Sequence, residues 1–182
     1  TGILSATNTL LENAYYIITP TALTPKEEIS EFRDFVLSLG AIPLILDYKI
    51  HDYSTAAISH LPHMIAYSLV NLIHQIDDDK ETMKTIAAGG FKDITRIASS
   101  SPVMWQNICA SNREPLLSLM DQYLALLTKL RGYIDSSNEQ ALLSFFQQAK
   151  DYRDSITLPS VKSPTVYYEC FVDLVDETGH TR

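Results

Sequence analysis

The sequence predicts a mainly α protein, with a helical domain over residues 48–157 preceded by a closing β-α-β unit over residues 1–47. Two observations predict it. Residues 14–46 pass from a strand-like run to a helical one and back, whereas residues 47–156 hold only helical periodicities separated by caps and turns. Apolar residues make up 46% and charged residues 20% of the 182, the balance of a globular chain with a sizeable core.

Ala14-Tyr15-Tyr16-Ile17-Ile18-Thr19 is β-branched and aromatic and stops at Pro20, which predicts a buried strand. Thr24-Pro25-Lys26-Glu27 predicts a helix start, with Thr24 as cap, Pro25 at the first helical position and Glu27 closing a capping box. Ile29, Phe32, Val36 and Leu39 then share one face, and Gly40 supplies a left-handed residue at the helix end. Ala41 to Leu46 is a second apolar strand, expected to run parallel to the first. One such unit does not close a sheet, so the remainder is expected upstream of Thr1.

Asp47 caps a helix running through Ile58, which Pro62 is expected to kink or restart. Ile65, Leu69, Leu72 and Ile76 keep helical register after it. Asp77-Asp78-Asp79 forms a turn and the anionic start of a short helix, Lys80 to Ala88, ended by Gly89-Gly90. Phe91 to Ala98 is another short helix. Ser101 caps a helix opening at Pro102, Asn112 caps a long one from Glu114 to Gly132, and Ser136 with Glu139 boxes a last helix to Ile156. Leu116, Leu117, Met120, Leu124, Leu127 and Leu130 give the long helix a wide apolar face. That face packs within the chain or against a second copy, and an isologous dimer is expected. Residues 158–182 read as a linker and one strand, Val166 to Val175.

The formal charge of -8 argues against non-specific nucleic-acid binding, which needs a basic face. The two cysteines, Cys109 and Cys170, have neither metal-ligand spacing nor a disulfide pattern, the usage of a reducing compartment. The most apolar window, Ala56 to Ile73, contains two His, two Ser, an Asn and a Pro, which argues against a membrane span. No secretion signal opens the sequence, and the cytoplasm is the expected location. The opening Thr1-Gly2-Ile3-Leu4-Ser5 has no cap or turn, and the chain stops just after a strand-like run. Both features read as a fragment. Neither a G-x-G-x-x-G nor a P-loop is present, so no cofactor-phosphate site is expected within this sequence.

Two polar clusters stand out from this apolar background. In the first, His51, Asp52, Ser59, His60 and His63 sit in an otherwise apolar run. At 100° per residue, positions 52, 59 and 63 fall within about 40° of one another, with His60 at the flank and His51 on the far side. Such a stripe is either a satisfied core network or a site for proton transfer and substrate hydrogen bonding. His60 and His63 are three apart, but without a His-Glu-x-x-His or Cys-x-x-Cys pattern no metal is expected. In the second, Lys92 and Arg96 share a face one helical turn apart after Gly89-Gly90. They are either a solvated face or an anion site, a guanidinium being suited to bidentate carboxylate binding. Gly90 either ends a helix or lets a ligand approach backbone, and Trp105 either packs in the core or borders the pocket.

These residues also carry a resemblance. His51-Asp52, Ala56, Ser59-His60-Leu61-Pro62-His63, then Gly89-Gly90-Phe91-Lys92-Asp93 with Thr95-Arg96-Ile97-Ala98, then Ser101-Pro102-Val103-Met104-Trp105 resemble, in order, the motifs of the prephenate dehydrogenases of tyrosine biosynthesis. Leu11 to Pro20 is similar to the last part of that family's nucleotide-binding domain, so the resemblance spans Leu10 to Asn112. It implies that residues 1–47 end a Rossmann-type NAD-binding domain. Residues 48–157 would be an all-helical dimerisation domain like the C-terminal domain of 6-phosphogluconate dehydrogenase. The implied activity is NAD-dependent oxidative decarboxylation of prephenate to 4-hydroxyphenylpyruvate by a homodimer. The implied roles are Arg96 on a substrate carboxylate, catalytic lining by His60, His63 and Asp52, and substrate contact by Lys92, Gly90, Trp105, His51 and Ser59.

The family's glycine-rich fingerprint and its His-Pro-Met-Ala-Gly motif, whose His polarises the ring hydroxyl, are absent from these residues. The choice between NAD and NADP therefore lies outside this sequence, and these 182 residues alone are not expected to turn over prephenate. Tyr167 to Asp176 resembles the first strand of an ACT regulatory domain, with Thr178 where that motif often has Pro, which implies tyrosine as a regulator. Arogenate dehydrogenases share these motifs and are the first alternative. A helical dimerisation module without catalysis is the second.

Overall fold

The structure is a computed structural model that describes residues 6–156 apart from residue 8. The expected linker, the ACT-like strand and Cys170 lie outside the described residues.

The chain begins with strand β1 (Tyr15–Ile18), helix α1 (Lys26–Ser38) and strand β2 (Ile42–Ile45). The strands pair in parallel, with Tyr15 opposite Ile42 and Ile18 opposite Ile45. Val36 of α1 is fully buried against this pair. Gly40 is at φ +77°, its carbonyl accepts from the Asn13 amide at 2.8 Å, and a Cβ there would stand 3.3 Å from Glu12 Cγ. Glycine is required at that corner. Thr24 does not cap α1 as expected. Its hydroxyl accepts from the Thr21 amide inside the preceding turn, and Pro25 becomes the N-cap without a side-chain bond. Two strands leave apolar surface open, and Tyr15, Ile17, Leu44 and Ile45 are exposed.

Helix α2 (Tyr48–Thr55), a π-turn (Ala56–His60) and helix α3 (Leu61–Ile76) form one continuous helix of 29 residues. The Asp47 carboxylate accepts from the Lys49 amide at 2.9 Å and caps it, as expected. The chain stays helical through Pro62, and regular α geometry restarts there after a π-turn, with Pro62 in the first turn of α3. Pro62 has no N–H for the Ile58 carbonyl, and its ring would press on that group. The helix instead widens, and the Leu61 amide reaches back to the Ala56 carbonyl. By length and composition this helix meets the requirement for crossing a bilayer. At its middle, however, His60 and His63 are engaged by residues of later helices.

Next come α4 (Thr82–Ile86), α5 (Gly89–Thr95), a 3-10 turn (Arg96–Ser99), α6 (Pro102–Ser111), α7 (Arg113–Asp135) and α8 (Glu139–Ser155). The acidic turn works as predicted, but α4 starts two residues later. Asp77 accepts from the Met83 and Lys84 amides, and Asp78 from Lys80 and Thr82. Those bonds, from Thr82 first, hold the Asp78 carboxyl below the usual carboxylate range. Gly89-Gly90 opens α5 instead of ending α4. Ser101 caps α6 through the Met104 amide. Asn138, not Ser136, caps α8, because the Ser136 hydroxyl turns back to the Gly132 carbonyl. The helical core gathers Ala56, Ala66, Trp105, Leu116 and Leu119, and α7 packs against the long helix where Ala56 lies in the π-turn.

Beyond that core, α3 and α7 leave an apolar groove of about 270 Å³ between them, lined by Met64, Leu69, Leu72, Met120, Leu124 and Leu127. The wide face expected of the long helix is therefore only partly covered. Leu116 is buried, whereas Leu117, Leu124 and Leu127 are exposed.

Candidate active site

Trp105 organises the site. Only 6% exposed, it stacks on the His63 ring at 3.8 Å between centroids and 26° between planes. It meets His60 and Tyr67 edge-on, at 6.0 and 6.4 Å. Tyr67, one turn after His63 on α3, donates its hydroxyl to the Ser100 carbonyl at 2.9 Å and ties the start of α6 to α3. The indole N–H of Trp105 is buried without a hydrogen-bond partner among the described residues.

The expected stripe of Asp52, Ser59 and His63 does not form. The π-turn adds a residue to the turn between Asp52 and His63, and an extra residue rotates the later positions by about 100°. The Asp52 carboxylate lies 3.1 Å from Nδ1 of His51, a neighbour rather than a residue across the helix. His51 Nε2 is 3.4 Å from the Thr55 hydroxyl. Ser59 enters through its backbone carbonyl, 2.9 Å from Nδ1 of His63. His60 and His63 do converge, both on Trp105. Burial holds the pKa of His60 below its ordinary value, the neighbouring His63 adds to this, and the Asp52 carboxylate partly offsets it. His60 is therefore neutral near pH 7.

Asn112 is the residue that sequence reasoning missed. It stands at the cap position of α7 but makes no capping bond. Its amide Nδ2 donates to the Asp52 backbone carbonyl at 2.8 Å and lies 3.3 Å from His60 Nδ1. Nothing local in the sequence separates this use from an ordinary cap.

Lys92 and Arg96 are both exposed, and neither has an ion-pair partner among the described residues. Thr95 between them is buried and donates its hydroxyl to the Phe91 carbonyl of its own helix at 2.6 Å. Arg96 stands one helical turn after Lys92, where α5 passes into the 3-10 turn. Lys92 lines a separate cleft of about 640 Å³ with His74, Asp77 and Phe91, which Arg96 does not line. A Cβ on Gly90 would meet nothing within 4 Å, so packing does not demand glycine there. No group of three or more His, Cys, Asp or Glu is placed to hold a metal among the described residues. What the site offers is imidazole hydrogen bonding against a stacked indole, with an unpaired guanidinium on the segment that packs against α3.

Comparison with known proteins identifies the family. The family model for the prephenate dehydrogenase dimerization domain covers residues 47–148. A prephenate dehydrogenase of Bacillus subtilis is 36% identical over 98% of this chain and 48% of its own length. The crystal structure of prephenate dehydrogenase from A. aeolicus, in complex with hydroxyphenyl propionate and NAD+, superposes with a TM-score of 0.80 at 29% identity, over 86% of this chain and 55% of that one. Synechocystis arogenate dehydrogenase gives a TM-score of 0.76 at 28% identity, over 81% and 53%. The chain thus spans about half the length of the curated relatives it matches. With a helical dimerization domain that the family model covers from end to end of its long-helix core, the chain belongs to the prephenate dehydrogenase family.

Proposed function

We propose that this chain is the substrate-binding half of an NAD-dependent prephenate dehydrogenase, which converts prephenate to 4-hydroxyphenylpyruvate and CO2. The observation that carries the proposal is the pairing of His60 and His63 around buried Trp105, close in sequence to an Arg96 without a counter-ion. Prephenate is a dianion with a ring that must be held still for hydride loss. In this reading Arg96 binds a substrate carboxylate, His60 and His63 hydrogen-bond substrate or bound water, and Trp105 walls one side of the ring. Asp52 and His51 support the lining, and Gly90 gives access to the backbone beside Lys92.

NAD accepts the hydride when bound. In this reading NAD is bound mainly by a segment outside these residues, which is supported by the turn Pro20-Thr21-Ala22-Leu23-Thr24-Pro25 having no glycine to admit a pyrophosphate. Residues 1–47 are in this reading the end of the nucleotide-binding domain, whose further strands would cover Tyr15, Ile17, Leu44 and Ile45. Residues 48–157 are the helical domain. A second copy covers the α3–α7 groove, supported by the family's dimerization domain and the exposed Leu72, Leu124 and Leu127. Tyrosine acts as regulator if residues 158–182 open an ACT domain, which inhibition by added tyrosine tests.

The test is NADH formation from prephenate by the intact gene product beside its Arg96→Ala variant. Truncating a charge that binds a carboxylate costs about 2–5 kcal/mol, or roughly 30- to 5,000-fold in kcat/KM. Unchanged turnover in the variant overturns the role of Arg96, and no turnover at all overturns the substrate. The likeness to an arogenate dehydrogenase supports a second reading, in which arogenate is oxidised faster than prephenate. Rates on the two substrates separate them.

A further inference from the structure

We propose that Asn112 is a positioning residue that fixes His60 as the neutral tautomer protonated at Nε2, opposite to the Nδ1-protonated form that Ser59 imposes on His63. The Asp52 backbone carbonyl only accepts hydrogen bonds, and it lies 2.8 Å from one end of the Asn112 amide. That end is therefore the NH2, which settles the orientation of the amide from chemistry alone. The same NH2 lies 3.3 Å from His60 Nδ1, and its second hydrogen points there. A proton on Nδ1 would set two donors against each other. Nδ1 therefore keeps its lone pair, and the ring proton sits on Nε2.

His63 is read by the opposite partner. Its Nδ1 lies 2.9 Å from the Ser59 carbonyl, again an acceptor only, so Nδ1 carries the proton and the neutral ring keeps a lone pair at Nε2. Two histidines on one indole thus differ in what they present, a donor from His60 and an acceptor from His63. The groups facing His60 are the Asp52 carboxylate of α2, His63 of α3, Trp105 of α6 and Asn112 at the start of α7. Burial and His63 favour the neutral ring that this tautomer needs, against the opposing pull of Asp52. A ligand that matches the pair offers an acceptor oxygen beside a hydroxyl or bound water. For the substrate role this rests on the proposed dehydrogenase reading. The tautomers themselves do not.

The experiment is a long-range proton–nitrogen correlation spectrum of the 15N-labelled protein without substrate, with the rings assigned from His60→Gln and His63→Gln. The expected pattern is Nε2–H for His60 and Nδ1–H for His63. In Asn112→Leu, His60 is expected to populate both tautomers and to titrate at higher pH, with His63 unchanged. In Asn112→Asp the carboxylate accepts from Nδ1–H, so the tautomer inverts. A role confined to packing would leave the tautomer alone. Nδ1–H on His60 in the unaltered protein overturns the proposal, and so does a His60 pattern indifferent to both substitutions. If neither variant folds, the spectrum of the unaltered protein still decides. Because no substrate is present, failure here leaves the prephenate reading standing, and absent turnover with the expected spectrum overturns only that reading.

Discussion

The two halves of the 29-residue helix meet opposite surroundings. Around the π-turn, one nitrogen of each imidazole is paired within the chain. His60 meets Asn112, His63 meets the Ser59 carbonyl, and both rings lie on Trp105. Farther along α3 the contacts are apolar and left open, with Leu72 half exposed in the α3–α7 groove. The first half is shaped by partners far away in its own sequence. The second half is complementary to something outside the single chain. One helix therefore holds a fixed chemical arrangement toward one end and an open apolar face toward the other.

The comparison breaks most sharply at Trp105. Trp105→Ala removes the shared wall of both histidines and is expected to cost about 3–5 kcal/mol of stability, read from denaturant unfolding. A loss below about 1 kcal/mol, within the range of ordinary surface changes, shows that the polar half is not anchored there. Next comes the open half. Leu124→Glu sets a charge in the groove and is expected to weaken dimerisation by about 2 kcal/mol or more, with the helical content retained. Sedimentation equilibrium checks this, and an unchanged dimer moves the interface elsewhere. Asp47→Ala sharpens the contrast by loosening only the first turn of the polar half, at about 1 kcal/mol in a thermal melt.

The gentlest probe is acid. His60 has a folded pKa below its ordinary 6.5, so the unfolded chain binds its proton more readily. The stability this contributes is fully present above about pH 6.5 and is lost as pH falls through the folded value. His60→Gln is expected to flatten that decline, measured as stability against pH. An equal slope in the variant assigns the decline to other groups.

Much of the frame was legible in the sequence because it rests on local chemistry. The strand-helix-strand order, the left-handed Gly40, and the Asp47 and Ser101 caps were each signalled by residues within a few positions. The failures have a common cause. Thr24, Asn112 and Ser136 are all good capping residues whose polar atoms found other partners, Thr21, Asp52 and Gly132. A short polar side chain has a few bonds to make, and spacing alone does not say which acceptor the fold brings within reach. The helical wheel failed for a different reason. It assumes one pitch throughout, and the π-turn before Pro62 changed it between the residues being compared. The convergence of His60 and His63 survived that change because both lie at or beyond the end of the wide turn.

Trp105 is also the sole tryptophan among the 182 residues. Excited beyond the absorption of its ten tyrosines, the protein therefore emits from a single indole, and that indole lies face to face with an imidazole. An excited indole gives up an electron to a charged imidazole more readily than to a neutral one, so the brightness of the native protein responds to the two rings packed on that indole. Its colour tracks the wetness of the same pocket. The molecule carries its own optical gauge of the site, which reads protonation and ligand entry with no label attached.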